Sequence, residues 1–367
     1  MKKILTITCH NVYNHGATLQ QFALLEHLQS QGYDAATINY KPDYLSNHFN
    51  LFSVDNPRFN SNIFLKYAYL LLKLPKRLIG RKRKTNFDAF EDKYLSILPQ
   101  VYHTNQELIQ NLPIADVYIT GSDQVWNSFF QNGKDPAFYL NFVPVDKIKI
   151  SYAASFAIDE IAENLKTFVY ENVKRLDYVS VRESSGKKIL EDLDIQNVTQ
   201  VLDPVFLLEA SFWVNKFVFS ISEKYIFIYD FDNNQQIKEI ALKNAKQLGL
   251  KIFTVNENLT YADKNFYKNA PDYFLSLVHG ATFVITNSFH AVAFSLMFNK
   301  KFVVVNRSEK INTRMRDLLQ MIDIPELLLD VQEYKNMDNL DIDYVAVNKI
   351  ISEKIQLSKS FLKNALK

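Results

Sequence analysis

Cysteine is nearly absent from this chain: Cys9 is the single one in 367 residues. A disulfide framework is therefore excluded, and a thiolate metal site lacks ligands. Cys9 lies in an apolar run and reads as a small core residue, and so low a cysteine content suits the cytosol. An excess of charge is also missing. The 42 Lys and Arg nearly balance 40 Asp and Glu, leaving a formal net charge of +2, so nothing global calls for a nucleic-acid partner. No stretch reaches the roughly 18 apolar residues of a transmembrane helix. The nearest, Ile63 to Leu74, is interrupted by Lys66 and Lys73. The apolar run near the N-terminus is too short and too polar at its end for a signal peptide, and it reads as a first strand. Internal repeats, low-complexity segments, a GxGxxG fingerprint, a Walker loop, a nucleophile elbow and metal-ligand spacings are all lacking.

Apolar residues are not scarce. At 47% hydrophobic and 22% charged, the chain can build two sizeable cores. Strand and helix patterns alternate. Strands are expected at Ile4–Thr8, Ala35–Asn39, Ala115–Thr120, Lys147–Tyr152, Asp177–Val181 and Val198–Val201. Helices are expected at Ala17–Gln31, Glu160–Leu176 and Ser184–Asp192, with a long irregular, basic region between the second and third strands. Leu202-Asp203-Pro204-Val205 then breaks the pattern, because proline ends a ladder. The alternation restarts with strands at Tyr225–Phe231, Lys251–Val255, Ala281–Thr286 and Phe302–Asn306. Helices follow at Gln235–Leu248, Pro271–His279, Phe289–Phe298 and Asn312–Ile322, with a last amphipathic helix from Asn348 to Leu366. The fold class expected is α/β, with two Rossmann-like domains of mainly parallel strands facing a central cleft. The expected divisions are a first Rossmann-like domain over 1–205, a second over 206–345, and a final helix over 346–367 that could return to the first domain.

Polar groups gather where strands end. After the first strand, Asn14-His15-Gly16-Ala17 opens a helix whose free N–H groups suit anions or hydroxyls. After the strand ending at Thr120 comes Gly121-Ser122-Asp123-Gln124-Val125-Trp126-Asn127. Asp123 there is a candidate base, hydroxyl binder or helix cap, and Trp126 a candidate stacking platform or core residue. Arg182, at a strand-to-helix handover, suits a phosphate or carboxylate, or an ion pair with Glu183. Ser288 and His290 open a helix, and no acid occurs from Tyr273 to Ser308 while Lys300, Lys301 and Arg307 do. Arg307, Arg314 and Arg316 could close over an anion or simply belong to a solvated helix start. The run Arg58–Lys84 holds nine Lys or Arg and no acid, and suits an anionic membrane surface or a solvated helix.

Assembled in order, these motifs resemble the polysaccharide pyruvyl transferase family from the first strand to about Ile324. The resemblance rests on Asn14 to Gln20, Gly121 to Asn127, Ser151 to Phe156, Ser180 to Glu183, Val201 to Pro204, Ser288 to Ala291 and Arg314 to Leu319. It implies a fold similar to the GT-B glycosyltransferases and transfer of a carboxyvinyl unit from phosphoenolpyruvate to two sugar hydroxyls, giving a pyruvate ketal. It implies neither cofactor nor metal, with phosphoenolpyruvate as the donor substrate. His15 stands for the family's Tyr, Ala291 for its Gly, and Ser288 for an Arg found in some members. The missing cation would fall to Arg314, Arg307 or Lys300. The expected donor side is therefore Arg182, Ser288, His290, Arg314, Lys300 and Arg307. The expected acceptor side is Gly16, Asp123, Gln124, Trp126 and Asn127, with His290 and Asp123 as acid/base candidates. The expected setting is cytoplasmic, with a lipid-linked acceptor and peripheral membrane contact through 58–84 left open. A GT-B-like glycosyltransferase using a nucleotide sugar and a non-catalytic glycan-binding protein remain alternatives.

Overall fold

The computed structural model describes residues 1–46, 54, 62–257, 259–307, 312–330 and 339–367. Arg58 of the basic run and Ser308 of the acid-free span lie outside the described residues.

The first sheet is built from β1 (Lys3–Ile7), β2 (Asp34–Tyr40), β3 (Ile97–Tyr102), β4 (Val117–Thr120), β5 (Ile148–Ala154), β6 (Tyr178–Val181) and β7 (Thr199–Gln200). The second is built from β8 (Tyr225–Tyr229), β9 (Lys251–Thr254), β10 (Lys264–Asn265), β11 (Phe283–Thr286), β12 (Lys301–Val305) and β13 (Leu328–Leu329). The helices are α1 (His15–Ser30), α2 (Asp43–Ser46), α3 (Ile63–Tyr94), α4 (Asn105–Gln110), α5 (Glu163–Val173) and α6 (Ser184–Glu191). They continue as α7 (Ala210–Phe217), α8 (Gln235–Leu248), α9 (Pro271–Gly280), α10 (Phe289–Met297), α11 (Thr313–Met321) and α12 (Tyr344–Ala365).

Among the described residues every strand pairing is parallel. Parallel strands are covered on both faces, which is why β8 can be Tyr-Ile-Phe-Ile-Tyr with all five side chains buried. The strand order is β3-β2-β1-β4-β5-β6-β7 in the first sheet and β10-β9-β8-β11-β12-β13 in the second. Counted within each half, the second runs 3-2-1-4-5-6, the doubly wound order, and the first has the same order with a seventh strand added at its edge. Each sheet therefore has one switch point, between β1 and β4 and between β8 and β11. Ligands of such folds bind beyond the carboxyl ends of the strands at that point.

The long region expected to be irregular is instead mostly α3, followed by β3 and α4. Asn62 caps α3 by accepting from Phe64 N, and Pro75 lies inside the helix. Pattern reading missed it because Pro75 and a dense run of Lys and Arg interrupt the apolar periodicity. α12 touches both halves: Tyr344 donates from its hydroxyl to Lys300 O, Ser358 Oγ accepts from Leu202 N at 2.9 Å, and Leu366 O accepts from Lys2 Nζ at 2.8 Å.

Candidate active site between the two sheets

A cavity of about 70 Å³ lies where the two switch points meet. Its wall is made by Asn14 after β1, Asp123 and Gln124 after β4, Phe231 after β8, Ser288, Phe289 and His290 after β11, Arg307 after β12, and Arg314 on α11. Larger hollows of about 790, 670 and 400 Å³ flank α12, and none of them is lined by the loops that follow β1, β4, β8 or β11. The small cavity is the chemically equipped one, since it joins loops from both sheets and carries the charged groups.

The β4 loop is shaped by its backbone. A Cβ on Gly121, whose φ is +109°, would lie 2.3 Å from Tyr152 O, so only glycine fits. Asp123 has φ +70°, a left-handed conformation that aspartate tolerates. No helix starts there, so Asp123 is not a cap: its backbone carbonyl accepts from Val125 N and Ser155 N, and its side chain is left for other partners. Ser122 N donates to Gln20 Oε1 at 3.2 Å, and Gln20 Nε2 donates to Thr8 Oγ1 at 3.1 Å, which ties the loop to α1 and β1.

Behind the cavity wall lies a buried charge network. Arg182 Nη1 is 2.5 Å from Asp203 Oδ2, and Arg182 Nη2 is 3.4 Å from Asp123 Oδ1. His290 Nε2 sits 3.5 Å from the same Asp203 oxygen. Burial alone would raise the Asp203 carboxyl, but the charge of His290, with that of Arg182, holds it well below the usual carboxylate range. Glu183 accepts from Ser155 Oγ at 2.8 Å and Ala157 N at 2.9 Å, and burial raises it despite Arg182. The Phe289 ring lies 4.2 Å from the Arg182 guanidinium and 5.9 Å from that of Arg314. Arg307 stands over Phe231 at 4.9 Å.

Arg314 is a buried cation of this site with little compensation. Its side chain is 8% exposed, its Nη1 is 3.7 Å from Asp123 Oδ1, and its Nε has no hydrogen-bond partner among the described residues. Burial, then the charge of Arg182, pulls it down to about 10. A guanidinium in that state gains from an added anion.

Several expected site residues are elsewhere. Arg182 is buried behind the wall, in the Asp203 network, and holds Asp123 rather than facing the cavity. Trp126 is fully buried, stacked on Tyr139 at 5.3 Å and donating from Nε1 to Phe138 O, so it cannot stack on a sugar. Asn127 is also fully buried: it donates to Gln124 Oε1 and accepts from Phe129 N, which orients Gln124. Lys300 precedes β12 and donates to His279 O, at the strand end opposite the cavity. Gly16 does not line the cavity. A Cβ there would lie 2.0 Å from His290 Nδ1, so its missing side chain makes room for the imidazole. Ser288 lines the wall and caps α10 by accepting from Ala291 N. Asp203 was read from sequence as a break before a proline. Its signal was a lone acid between the apolar pairs Val201-Leu202 and Val205-Phe206, where only a buried partner justifies a charge.

Two parallel-sheet halves whose switch points share one polar cavity define a protein of the GT-B architecture. The chain belongs to the polysaccharide pyruvyl transferase family, a family of transferases, whose model matches residues 14–309. No curated protein matches it by sequence. Among solved structures it is similar to a protein described as a UDP-N-acetylglucosamine 2-epimerase from Listeria monocytogenes. That match has 8% identity and a TM-score of 0.50, covering 96% of this chain and 90% of that one. A UDP-GlcNAc 2-epimerase from Methanocaldococcus jannaschii matches at 11% identity and TM-score 0.46, covering 96% and 93%. The ADP-heptose LPS heptosyltransferase II of E. coli matches at 12% identity and TM-score 0.35, covering 98% and 100%. At these identities the likeness concerns the fold alone.

Proposed function

We propose that this protein transfers the carboxyvinyl unit of phosphoenolpyruvate to two hydroxyls of a sugar in a surface-polysaccharide precursor. The product is a pyruvate ketal and the by-product is inorganic phosphate. The observation that supports this best is the buried, under-satisfied Arg314 in a cavity shared with Arg307, His290 and the first turn of α10. The low cysteine content suits a cytoplasmic setting.

In this reading Arg314, Arg307 and the α10 N-terminus hold the donor's phosphate and carboxylate. His290, oriented by Asp203, protonates the methylene carbon as one sugar hydroxyl attacks the central carbon. The C–O bond to phosphate then breaks, and a second hydroxyl adds. Two C–O bonds form and one breaks. Of the two hydroxyl protons released, one ends on the new methyl group and the other on phosphate. Asp123, beside Gln124, accepts the attacking hydroxyl's proton or holds it in place. Arg182, 3.4 Å from its Oδ1, aims Asp123.

The test is a thermal-shift comparison of phosphoenolpyruvate with several nucleotide sugars, followed by phosphate release against a panel of methyl hexosides. Stabilisation by phosphoenolpyruvate and not by nucleotide sugars is expected. His290→Ala should cut phosphate release by at least about 100-fold. Stabilisation by a nucleotide sugar alone would favour glycosyl transfer, and near-normal turnover by the variant would remove His290 from the mechanism.

A further inference from the structure

The first four turns of α3 form an apolar surface with no partner among the described residues. Ile63, Tyr67, Leu71, Leu74 and Leu78 are exposed by 63, 61, 68, 36 and 49%. Their spacing of four, four, three and four residues puts them on one stripe of the helix, roughly 22 Å long at the α-helical rise. Phe64, 81% exposed, flanks the stripe, and Leu72, 82% exposed, widens the apolar face beyond it. Scattered exposed apolar residues need no account, but a continuous stripe does.

The charge around the stripe identifies its occupant. Between Ile63 and Phe87 the chain has eight Lys or Arg and no Asp or Glu. Two copies of this helix laid together would set like charges against each other. A lipid surface with anionic headgroups instead accepts both the apolar stripe and the cations. No helix among the described residues is long and apolar enough to cross a membrane, so a bilayer would hold α3 at its surface.

The other end of α3 is clamped over the cleft. Arg83 donates to Tyr13 O in the β1–α1 loop, at 2.7 Å from Nη2, and also to Tyr267 O in the second half. Asn86 donates to Lys268 O at 2.7 Å, and the Phe87 ring lies 5.0 Å from that of His15. One helix thus joins the mouth of the cleft to the free apolar stripe.

We propose that the exposed stripe of α3 docks the protein on an anionic lipid bilayer, so that the cleft receives its sugar acceptor on a lipid carrier. The acceptor clause rests on the pyruvyl-transfer reading; the docking does not. The experiment is sedimentation of the full chain with vesicles of phosphatidylcholine alone or mixed with phosphatidylglycerol. Binding is expected only to the mixed vesicles, and it should weaken as salt is raised. Combining Phe64→Asp, Leu71→Asp and Leu72→Asp should reduce that binding at least about tenfold. These positions touch no element of the site, so the melting temperature and its shift with phosphoenolpyruvate should be unchanged. Absence of binding to mixed vesicles, equal binding by the variant, or stripe-dependent self-association without vesicle binding would each overturn the docking. A phosphoenolpyruvate shift without vesicle binding removes the docking and leaves the transfer reading standing. Vesicle binding without that shift does the reverse.

Discussion

Asp203 shows how one buried carboxylate arranges a site that it does not itself line. It faces Arg182 at 2.5 Å and His290 at 3.5 Å, and its Oδ1 accepts from Val205 N. Removing its charge leaves Arg182 buried with only the longer contacts to Asp123 and Glu183. Asp203→Asn should therefore cost about 3–5 kcal/mol of stability in denaturant unfolding. Its pH dependence has a defined sign. The folded carboxyl lies below its unfolded value of about 3.9. Its contribution is thus complete above that value and lost only as the pH falls through the folded one. The stability gap between wild type and variant should stay level from about pH 8 to 5 and close only in acid. A gap that closed near neutrality would assign the linkage to another group. Of the expected site residues, Asp123, Gln124, Ser288, His290, Arg307 and Arg314 line the cavity, and they follow strand ends or open helices, positions that one-dimensional patterns reveal. Trp126 and Asn127 follow Asp123 closely, yet the turn sends them into the core, and no periodicity announces that direction. Lys300 was misplaced because counting charges along the chain ignores β12, whose five residues separate it from the cavity.

At the scale of elements, α11 is held across the interface by its own polar face. Asp317 accepts from Ser185 N at 2.8 Å, at the start of α6, and Arg316 Nη2 is 2.6 Å from Asp159 Oδ1. These contacts aim Arg314 into the cavity from the opposite half. Asp317→Ala should lower stability by about 1–2 kcal/mol. It should also raise KM for phosphoenolpyruvate far more than it changes kcat, and a fall in kcat alone would argue against an anion-positioning role. α3, unrecognised from its composition, carries a second titratable contact. Glu91 accepts from Asn11 Nδ2, and burial chiefly pushes its carboxyl up to about 7 from an ordinary 4.5. The folded state then binds this proton more tightly than the unfolded chain. Stability is greatest below the ordinary value and falls as the pH rises towards 7. Glu91→Gln keeps an acceptor for Asn11 and removes the charge. It should raise the melting temperature at pH 8, leave it little changed at pH 4, and flatten the slope between them.

At the scale of the molecule, the two sheets share an apolar core that runs through α1. Phe22 on α1 lies 5.3 Å from Phe217 and 5.6 Å from Trp213, both on α7, and Trp213 lies 5.1 Å from Phe294 on α10. The same α10 begins with Phe289 and His290, so the catalytic candidate is mounted on the joint between the halves. This explains why α1 is buried on nearly every side and why its periodicity is weak. A joint of this size and apolarity should make the two halves unfold together. The two tryptophans allow a direct check, because Trp126 lies in the core of the first sheet and Trp213 in the shared core. Trp126→Phe and Trp213→Phe each leave one reporter. Fluorescence from either and far-UV circular dichroism should give one coincident transition for each protein. Phe22→Ala should lower stability by about 3–5 kcal/mol without separating the probes. If the Trp213 signal were lost before the Trp126 signal in that variant, the joint would be a docking surface between independently stable halves, and the placement of His290 would depend on how often they meet.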